Sequence, residues 1–370
     1  MKENNNFLSK QILTYIGNKR SLLFYIDRYI NLVKKELGKN KIVALDLFSG
    51  SGVVSRLFKQ HSSLILTNDL EDYSRVINEC FLLNKEDIDE NIFNKMLNEI
   101  IYLVKTKPIE GILCKYYSPK NDDDIRKGER VFYTHKNALF IDSFRHYLDL
   151  VCVNKKYKNV FLALLVIEAS IHVNTCGVFK GFYKDNKTGI GMFGGSGKYA
   201  LNRIKGDIEI KSPYLSNFSC EYRIYQEDAT KLVTKLKDID LAYLDPPYNQ
   251  HPYGSNYFML NLIINNKEPK NISRVSGIVK NWNRSSFNKK SEALKSLEEI
   301  IINLKAKYIL ISYNNEGFIS FDEMVATLNK YGSIKCEEIK YNAFRGSHNL
   351  NKRNIHTKEF LFLLKKEEKK

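Results

Sequence analysis

The chain has 370 residues, of which 58 are Lys or Arg and 42 are Asp or Glu, so its formal net charge is +16. Hydrophobic residues at 43% and aromatic residues at 12% can build a sizeable core, which excludes global disorder, and the basic excess favours a polyanionic partner. A Lys-rich and Asn-rich codon bias would give the same excess, so charge alone does not decide.

The sequence gives no sign of a membrane or metal protein. Its longest purely apolar run, Val160–Ile167, is much shorter than the ~20 residues that cross a bilayer. The amino terminus lacks the layout of a signal peptide. The cysteines lie far apart, without a C-x-x-C pair or a His at metal spacing. We therefore expect a soluble, cytoplasmic chain with no membrane partner and no structural metal.

The first part of the chain has the pattern of a nucleotide-binding α/β sheet. Apolar periodicity and turn residues predict, in order, a helix over Lys19–Leu37, a buried strand over Lys41–Leu47, a glycine turn over Phe48–Gly52, a helix over Val53–Gln60 and a strand over Ser63–Thr67.

From about residue 80 to residue 219 the pattern changes. Helical segments (Ile92–Val104, Leu139–Val153 and Val160–Val173) alternate with polar stretches, and residues 175–206 are rich in glycine. A loop of that length is unusual inside a compact sheet. We therefore predict an inserted module here.

Sheet-like segments return after residue 220. They predict strands over Glu221–Tyr225, Asp240–Leu244 and Lys307–Ser312, a terminal hairpin of Ser333–Tyr341 with Glu359–Leu364, and helices over Tyr257–Ile264, Glu292–Leu304 and Phe321–Asn329. The whole pattern indicates one α/β sheet domain that is interrupted by the insertion.

The glycine turn follows Asp46 and reads Phe48-Ser-Gly50-Ser-Gly52. Glycines here allow close approach of the backbone to a ligand. The turn is neither G-x-G-x-x-G nor a P-loop, which disfavours a dinucleotide pyrophosphate. Asp69, at the end of the next strand, could accept both ribose hydroxyls of a nucleoside, or could instead cap a helix.

A second motif, Asp245-Pro246-Pro247-Tyr248, ends a predicted strand. Proline cannot continue inside a sheet, so two in succession direct the chain out of it. The Asp245 carboxylate and the Pro246 carbonyl are acceptors only and could hold both hydrogens of a flat amino group. The Tyr248 ring could stack on a base. A plain turn is the alternative.

Together these motifs resemble the DNA adenine-N6 methyltransferases that use S-adenosylmethionine. Tyr15-Ile-Gly17-Asn-Lys19 is similar to the motif that precedes the glycine turn in that family. The order of motifs resembles the alpha group, or D12 class, to which Dam-type enzymes belong. The resemblance implies an α/β fold with a Rossmann-like methyltransferase sheet from residues 1–80 and 220–370. Residues 81–219 would form an inserted, mainly helical target-recognition domain.

The resemblance also implies roles for individual residues. Asp245, Pro246 and Tyr248 would be catalytic. Phe48, Gly50 and Gly52 would surround the cofactor, Asp69 would bind its ribose and Asp228 its adenine amino group, and Tyr15 and Lys19 would lie near its methionine part. The residues expected to bind the cofactor are Tyr15, Gly17, Lys19, Asp46, Phe48, Gly50, Gly52, Asp69 and Asp228.

DNA contacts are predicted from charge. Two segments, Lys270–Lys290 and Lys340–Lys358, are basic and contain no acid, which suits a phosphate backbone. A solvated face of a Lys-rich protein is the alternative. The candidate DNA-binding residues are Lys280, Arg284, Arg345, Lys352 and Arg353. The glycine-rich stretch 174–206 resembles the base-reading segment of the family.

The leading hypothesis is site-specific methylation of adenine N6 in duplex DNA, with the base flipped out of the helix. Motif and order suggest the modification enzyme of a bacterial restriction–modification system, at the nucleoid, with a possible partner endonuclease. Methylation of an RNA adenine or of cytosine N4 remains open. So do a non-catalytic DNA-binding protein and, from the first strands alone, a nicotinamide dehydrogenase.

Overall fold

The computed structural model describes residues 2–342 and 356–367. Its strands are β1 (Ile42–Asp46), β2 (Ser62–Asn68), β3 (Glu221–Tyr225), β4 (Ile239–Leu244), β5 (Ala306–Asn314), β6 (Gly332–Asn342) and β7 (His356–Lys366). They form one mixed sheet in the order β3-β2-β1-β4-β5-β7-β6. The first five strands are parallel, and β7 runs antiparallel to both of its neighbours. The predicted strands and the α/β fold class are confirmed.

The helices are α1 (Asn5–Ser9), α2 (Leu23–Leu37), α3 (Val53–Phe58), α4 (Asp72–Phe81), α5 (Glu90–Thr106), α6 (Ile112–Tyr116), α7 (His135–Val151), α8 (Lys155–Ile171), α9 (Leu201–Lys205), α10 (Ala229–Leu232), α11 (Tyr253–Asn256), α12 (Phe258–Asn265), α13 (Lys290–Asn303) and α14 (Phe321–Leu328). The helices predicted from periodicity are confirmed, whereas α4 and the short helices α1, α6, α9, α10 and α11 were not predicted. No helix in residues 2–342 and 356–367 has both the length and the apolar character to cross a bilayer.

The centre of the sheet is apolar on both faces, as parallel strands covered by helices require. Every residue of β4 is buried. Its one carboxylate, Asp240, is held by Lys39 at 2.8 Å and Lys307 at 3.0 Å, and it accepts a hydrogen bond from the Val43 backbone N–H at 3.0 Å. Asp240 therefore ties β1, β4 and β5 together near the amino ends of these strands.

Helices from residues 81–219 pack directly on the helices that cover the sheet. One apolar cluster joins α5, α7 and α8 to α4 and α12. Phe93 of α5 stacks on Phe161 of α8 with ring centroids 4.7 Å apart, and both side chains are buried. The predicted division into a catalytic and an inserted domain stays a prediction, but the two segments share this core.

The shared core predicts that damage in α8 is felt by the whole protein. Phe161→Ala should lower the free energy of unfolding by about 3–5 kcal/mol, because it leaves a cavity in a packed core. The only tryptophan, Trp282, lies outside residues 81–219. Its fluorescence midpoint in denaturant should therefore fall together with the far-ultraviolet circular dichroism midpoint.

Tyr102→Ala is the control, because that side chain on α5 is 65% exposed. A shift of the dichroism midpoint without a shift of the Trp282 midpoint would show that the insertion unfolds by itself.

Candidate functional site

A cavity opens at the carboxyl ends of β1, β2 and β4. Because β1 lies between β2 and β4, this edge is the switch point where ligands bind in open α/β sheets. The cavity encloses about 810 Å³ including its open mouth.

The glycine turn forms one wall of the cavity. Gly50 has φ +50°, and a Cβ there would lie 2.9 Å from the Tyr15 ring. Gly52 caps α3 with φ +71°, and a Cβ there would lie 2.9 Å from the Asn78 amide oxygen. Both positions need glycine, for backbone conformation and for space.

Asp69 joins the glycine turn to the end of β2. Its Oδ2 accepts a hydrogen bond from the Gly50 N–H at 2.8 Å, and its Oδ1 accepts one from the Glu71 N–H at 3.0 Å. The capping residue of α4 is Glu71, so Asp69 does not cap the helix itself. Burial raises the pKa of Asp69, and it raises the pKa of Glu71 to about 8.

Asp46 places a buried carboxylate at the cavity wall. Its Oδ2 accepts a hydrogen bond from the Ser55 hydroxyl at 2.6 Å. Its Oδ1 is buried and has no hydrogen-bond partner within the part of the chain that the structure describes. Desolvation raises the pKa of Asp46 to about 7. A buried acceptor without a donor is costly, so this oxygen suits a ligand that brings a donor or a cation.

Three tyrosine rings fix the amino-terminal motif against the cavity. Tyr15 stacks on Tyr253, with centroids 5.1 Å apart, and on Tyr257, with centroids 4.7 Å apart, and these two rings also stack on each other at 6.2 Å. The Tyr257 hydroxyl also accepts a hydrogen bond from the Ile16 N–H at 2.8 Å. Tyr253 and Tyr257, which follow the Asp-Pro-Pro-Tyr motif in the chain, thus position the amino-terminal motif Tyr15–Lys19.

A buried ion-pair cluster lies beside these rings. The Lys19 ammonium is 3.0 Å from Asp245 Oδ1 and 3.1 Å from Glu359 Oε1. The Ser312 hydroxyl donates to the same oxygen of Glu359. Asp245 keeps 22% of its side chain exposed, whereas Lys19 and Glu359 are almost fully buried. Desolvation raises the pKa of Asp245 to about 6, Lys19 opposes this rise, and Glu359 adds to it.

Most of the residues predicted to bind cofactor or substrate meet at this cavity. Those that line it are Tyr15, Gly17, Lys19, Asp46, Phe48, Gly50, Asp69 and Asp245. Their assigned roles stay predictions. In particular, Lys19 was expected to lie near a methionine carboxylate, and in this structure its ammonium contacts two protein carboxylates.

Other predicted residues lie next to the cavity rather than in its lining. Asp228 caps α10 and accepts a hydrogen bond from the Thr230 N–H at 3.0 Å, while its chain neighbours Glu227 and Ala229 line the cavity. Pro246 is buried. The Tyr248 ring is partly buried. It packs against the apolar cluster that α10, α13 and α14 form with one face of the sheet.

The candidate DNA contacts are only partly described. Lys280 and Arg284 are exposed, and the Arg284 guanidinium lies 5.5 Å from the centre of the Trp282 ring. Between them, Asn283 lines the cavity and its amide donates to the Leu70 carbonyl at 2.8 Å. Arg345, Lys352 and Arg353 lie outside the described residues.

Several residues of the site were missed from the sequence. Asn283, Ser285 and Asn288 line the cavity, although the segment around them was selected for its charge alone. Glu359 belongs to no motif. The strand alternation could have revealed it, because Glu359 lies two residues before Leu361 and so shares the buried side of β7 on which Leu361 lies.

The described ranges contain no group of three or more His, Cys, Asp and Glu side chains that could hold a metal ion.

Comparisons with known proteins agree on one family. Residues 15–327 match the D12 class N6 adenine-specific DNA methyltransferases. The type II methyltransferase M.CviAII of Paramecium bursaria Chlorella virus 1 is 31% identical over 353 residues, which cover 95% of this chain and 97% of the relative. The type II methyltransferase M.NlaIII of Neisseria lactamica is 28% identical, covering 96% of this chain and 99% of the relative. The modification methylase StsI of Streptococcus sanguinis is 28% identical over 96% of this chain and 52% of its own length.

The buried Asp46 carboxylate predicts a pH-dependent stability. Because the pKa of Asp46 is raised to about 7 in the folded protein and is about 3.9 when unfolded, the folded state binds this proton more tightly. Its ionisation therefore costs stability as the pH rises from about 4 to 7. An amide cannot ionise. The melting temperature of Asp46→Asn relative to that of wild type should therefore rise between pH 5 and pH 8.

Thermal melts in matched buffers measure this difference. Asp123→Asn removes an exposed carboxylate and serves as the control. A difference between Asp46→Asn and wild type that stays constant with pH would contradict the prediction.

Proposed function

The chain belongs to the D12 class of N6 adenine-specific DNA methyltransferases, and from that premise we propose how its site works. S-Adenosylmethionine is the proposed methyl donor, an adenine in duplex DNA is the acceptor, and a restriction–modification system is the setting. The observation that carries the proposal is the Asp245 carboxylate, which lies at the cavity beside the glycine turn and is held there by Lys19.

The cavity has the groups that such a cofactor requires. The unpartnered Asp46 Oδ1 suits its ammonium group, and Asp69 retains lone pairs for two ribose hydroxyls. Phe48 offers an apolar wall, and Asp228 lies at the edge where an adenine amino group would be bound. When bound, the cofactor supplies an electrophilic methyl group on a sulfonium.

The chain's own residues prepare the nucleophile. The lone pair of an exocyclic adenine amine is delocalised into the ring, which makes the amine a poor nucleophile. Lys19 contacts Asp245 through Oδ1, which leaves Oδ2 to accept one amine hydrogen, and the Pro246 carbonyl accepts the other. These two hydrogen bonds favour a pyramidal nitrogen with a localised lone pair. Positioning of the two reactants supplies much of the rate.

A base inside a duplex cannot reach this cavity, so the target adenine has to be flipped out. Tyr248 is the last residue of the Asp-Pro-Pro-Tyr motif and is the proposed stacking partner. The glycine-rich stretch meets this region at two points: the Phe179 N–H donates to the Asn256 carbonyl at 2.7 Å, and the Lys180 ammonium lies 3.2 Å from His251 Nδ1. These contacts support a target-recognition role for residues 81–219.

The setting is proposed from the relatives. M.CviAII and M.NlaIII are type II methyltransferases by name and are covered almost end to end by this chain. A cognate endonuclease is therefore a proposed partner. With chromosomal DNA as substrate, the enzyme would act in the cytoplasm, at the nucleoid of a bacterial host.

The substrate is tested with purified protein, methyl-labelled S-adenosylmethionine, and either unmethylated genomic DNA or total RNA. We expect N6-methyladenine from DNA alone after digestion to nucleosides. Asp245→Asn should lower kcat at least about 10²–10³-fold, because a preorganised acceptor is lost, with cofactor affinity largely kept. Label in RNA, or N4-methylcytosine, would contradict the proposed substrate, and near-normal activity of Asp245→Asn would contradict its role.

DNA contact by the segment around Trp282 is tested by salt dependence. The double variant Lys280→Gln/Arg284→Gln should weaken duplex binding and reduce the slope of log K against log salt by about 0.9 for each lost phosphate contact. Lys237→Gln/Lys305→Gln is the matched control, because it removes two exposed charges at the opposite edge of the sheet. Equal slopes in the two variants would contradict DNA contact by this segment and would favour the alternative, a solvated basic face.

A further inference from the structure

Glu359 lies in the site without belonging to any of its motifs. It is completely buried on β7, and its Oε1 is 3.1 Å from the Lys19 ammonium. In the register of the sheet it lies opposite Asn314 of β5. The Ser312 hydroxyl of the same strand donates to Glu359 Oε1. The pairing of β7 with β5 and the hydrogen bond from Ser312 thus fix the position of this carboxylate.

Burying a carboxylate costs free energy unless its charge is paired and hydrogen-bonded. Alternate residues of β7 on this side, Leu361 and Leu363, are buried and apolar, so the carboxylate at position 359 is the exception on this face of the strand. The Lys19 ammonium is shared between Glu359 and the Asp245 carboxylate. Lys19 therefore links Glu359 to the Asp245 carboxylate, which is the group proposed to bind the target amine.

We propose that Glu359 is a positioning residue for methyl transfer: it anchors Lys19, and Lys19 in turn fixes the direction of the Asp245 carboxylate. This inference rests on the proposed function. Glu359 itself touches neither cofactor nor substrate in this scheme. Its effect is to hold the acceptor in the orientation in which Oδ2 faces the amine, and small displacements of such groups cost large factors in rate.

The cluster also sets the protonation of Asp245. Lys19 lowers the pKa of Asp245 and Glu359 raises it. Removal of the Glu359 charge should therefore lower the pKa of Asp245, since one repulsion is lost and Lys19 serves a single carboxylate. The other titratable groups that interact with Asp245 from neighbouring elements are Asp46, Tyr243, Tyr248 and Tyr253.

The first experiment measures kcat and KM for DNA methylation by Glu359→Gln between pH 5 and pH 8, at saturating cofactor and over a range of DNA concentrations. Because Asp245 acts as the carboxylate, activity is lost as the pH falls through its pKa. We expect kcat at pH 8 to fall about tenfold to a hundredfold, KM for DNA to change little, and the acid limb of the profile to move to lower pH.

Glu338→Gln is the matched control. It removes the same charge from an exposed residue of the adjoining strand, where Glu338 pairs with Lys358. Its kcat and its acid limb should coincide with those of wild type. An acid limb of Glu359→Gln that also coincides with wild type would reduce Glu359 to a structural ion pair and overturn the proposal.

A second variant covers the case in which Glu359→Gln folds poorly. Ser312→Ala removes the hydroxyl that holds Glu359 and keeps all charges. We expect a several-fold loss of kcat with an unmoved acid limb, because Lys19 is less firmly anchored. A kcat equal to that of wild type would contradict the anchoring role.

A readout without turnover separates this inference from the proposed function. NMR titration of ¹³Cγ-aspartate, with the Asp245 signal assigned by its loss in Asp245→Asn, should give a midpoint near 6 in wild type and a lower one in Glu359→Gln. An unchanged midpoint overturns the coupling. A wild-type protein that fails to methylate DNA contradicts the proposed function instead, whatever the titration gives.

Discussion

The site depends on one buried cation. Lys19 is 4% exposed and joins the beginning, middle and end of the chain through its contacts with Asp245 and Glu359. Removal of this ammonium is expected to cost about 3–5 kcal/mol, because the buried Glu359 carboxylate would be left without a counter-charge. The amino-terminal motif, the Asp-Pro-Pro-Tyr motif and the last strand are therefore placed relative to one another by a single ammonium group.

The sheet makes this cluster possible. Residues 46 and 243 are paired in the register of β1 and β4, so Asp46 and Asp245 leave the sheet side by side. Asp69 leaves β2 one strand further along and binds the Gly50 amide. Parallel strands bring distant parts of the sequence to one edge, where Asp46, the glycine turn and Asp245 line one cavity.

The strands were predictable because their apolar runs are too short for helices and lie beside turn residues, and these two features together favour buried strands. The helix α4 was not, because it buries polar side chains. Asn78 donates to the Ser49 hydroxyl at 3.0 Å, and Ser74 lies 3.2 Å from that hydroxyl. These residues appear polar in the sequence and become buried only through the glycine turn. Glu359 was missed for a similar reason, since its role depends on the register of β7 with β5.

The distribution of charge separates two tasks. The chain carries a net charge of +16, yet the acids Asp46, Asp69, Glu71, Glu227 and Asp245 line the cavity. A basic exterior attracts a phosphate backbone, whereas the charged side chains that line the cleft are mainly acidic and do not. The same side chains suit the proposed cationic methyl donor and an amino group that donates hydrogen bonds. This division of charge supports the proposal that the DNA backbone stays at the exterior while a flipped base enters the cleft.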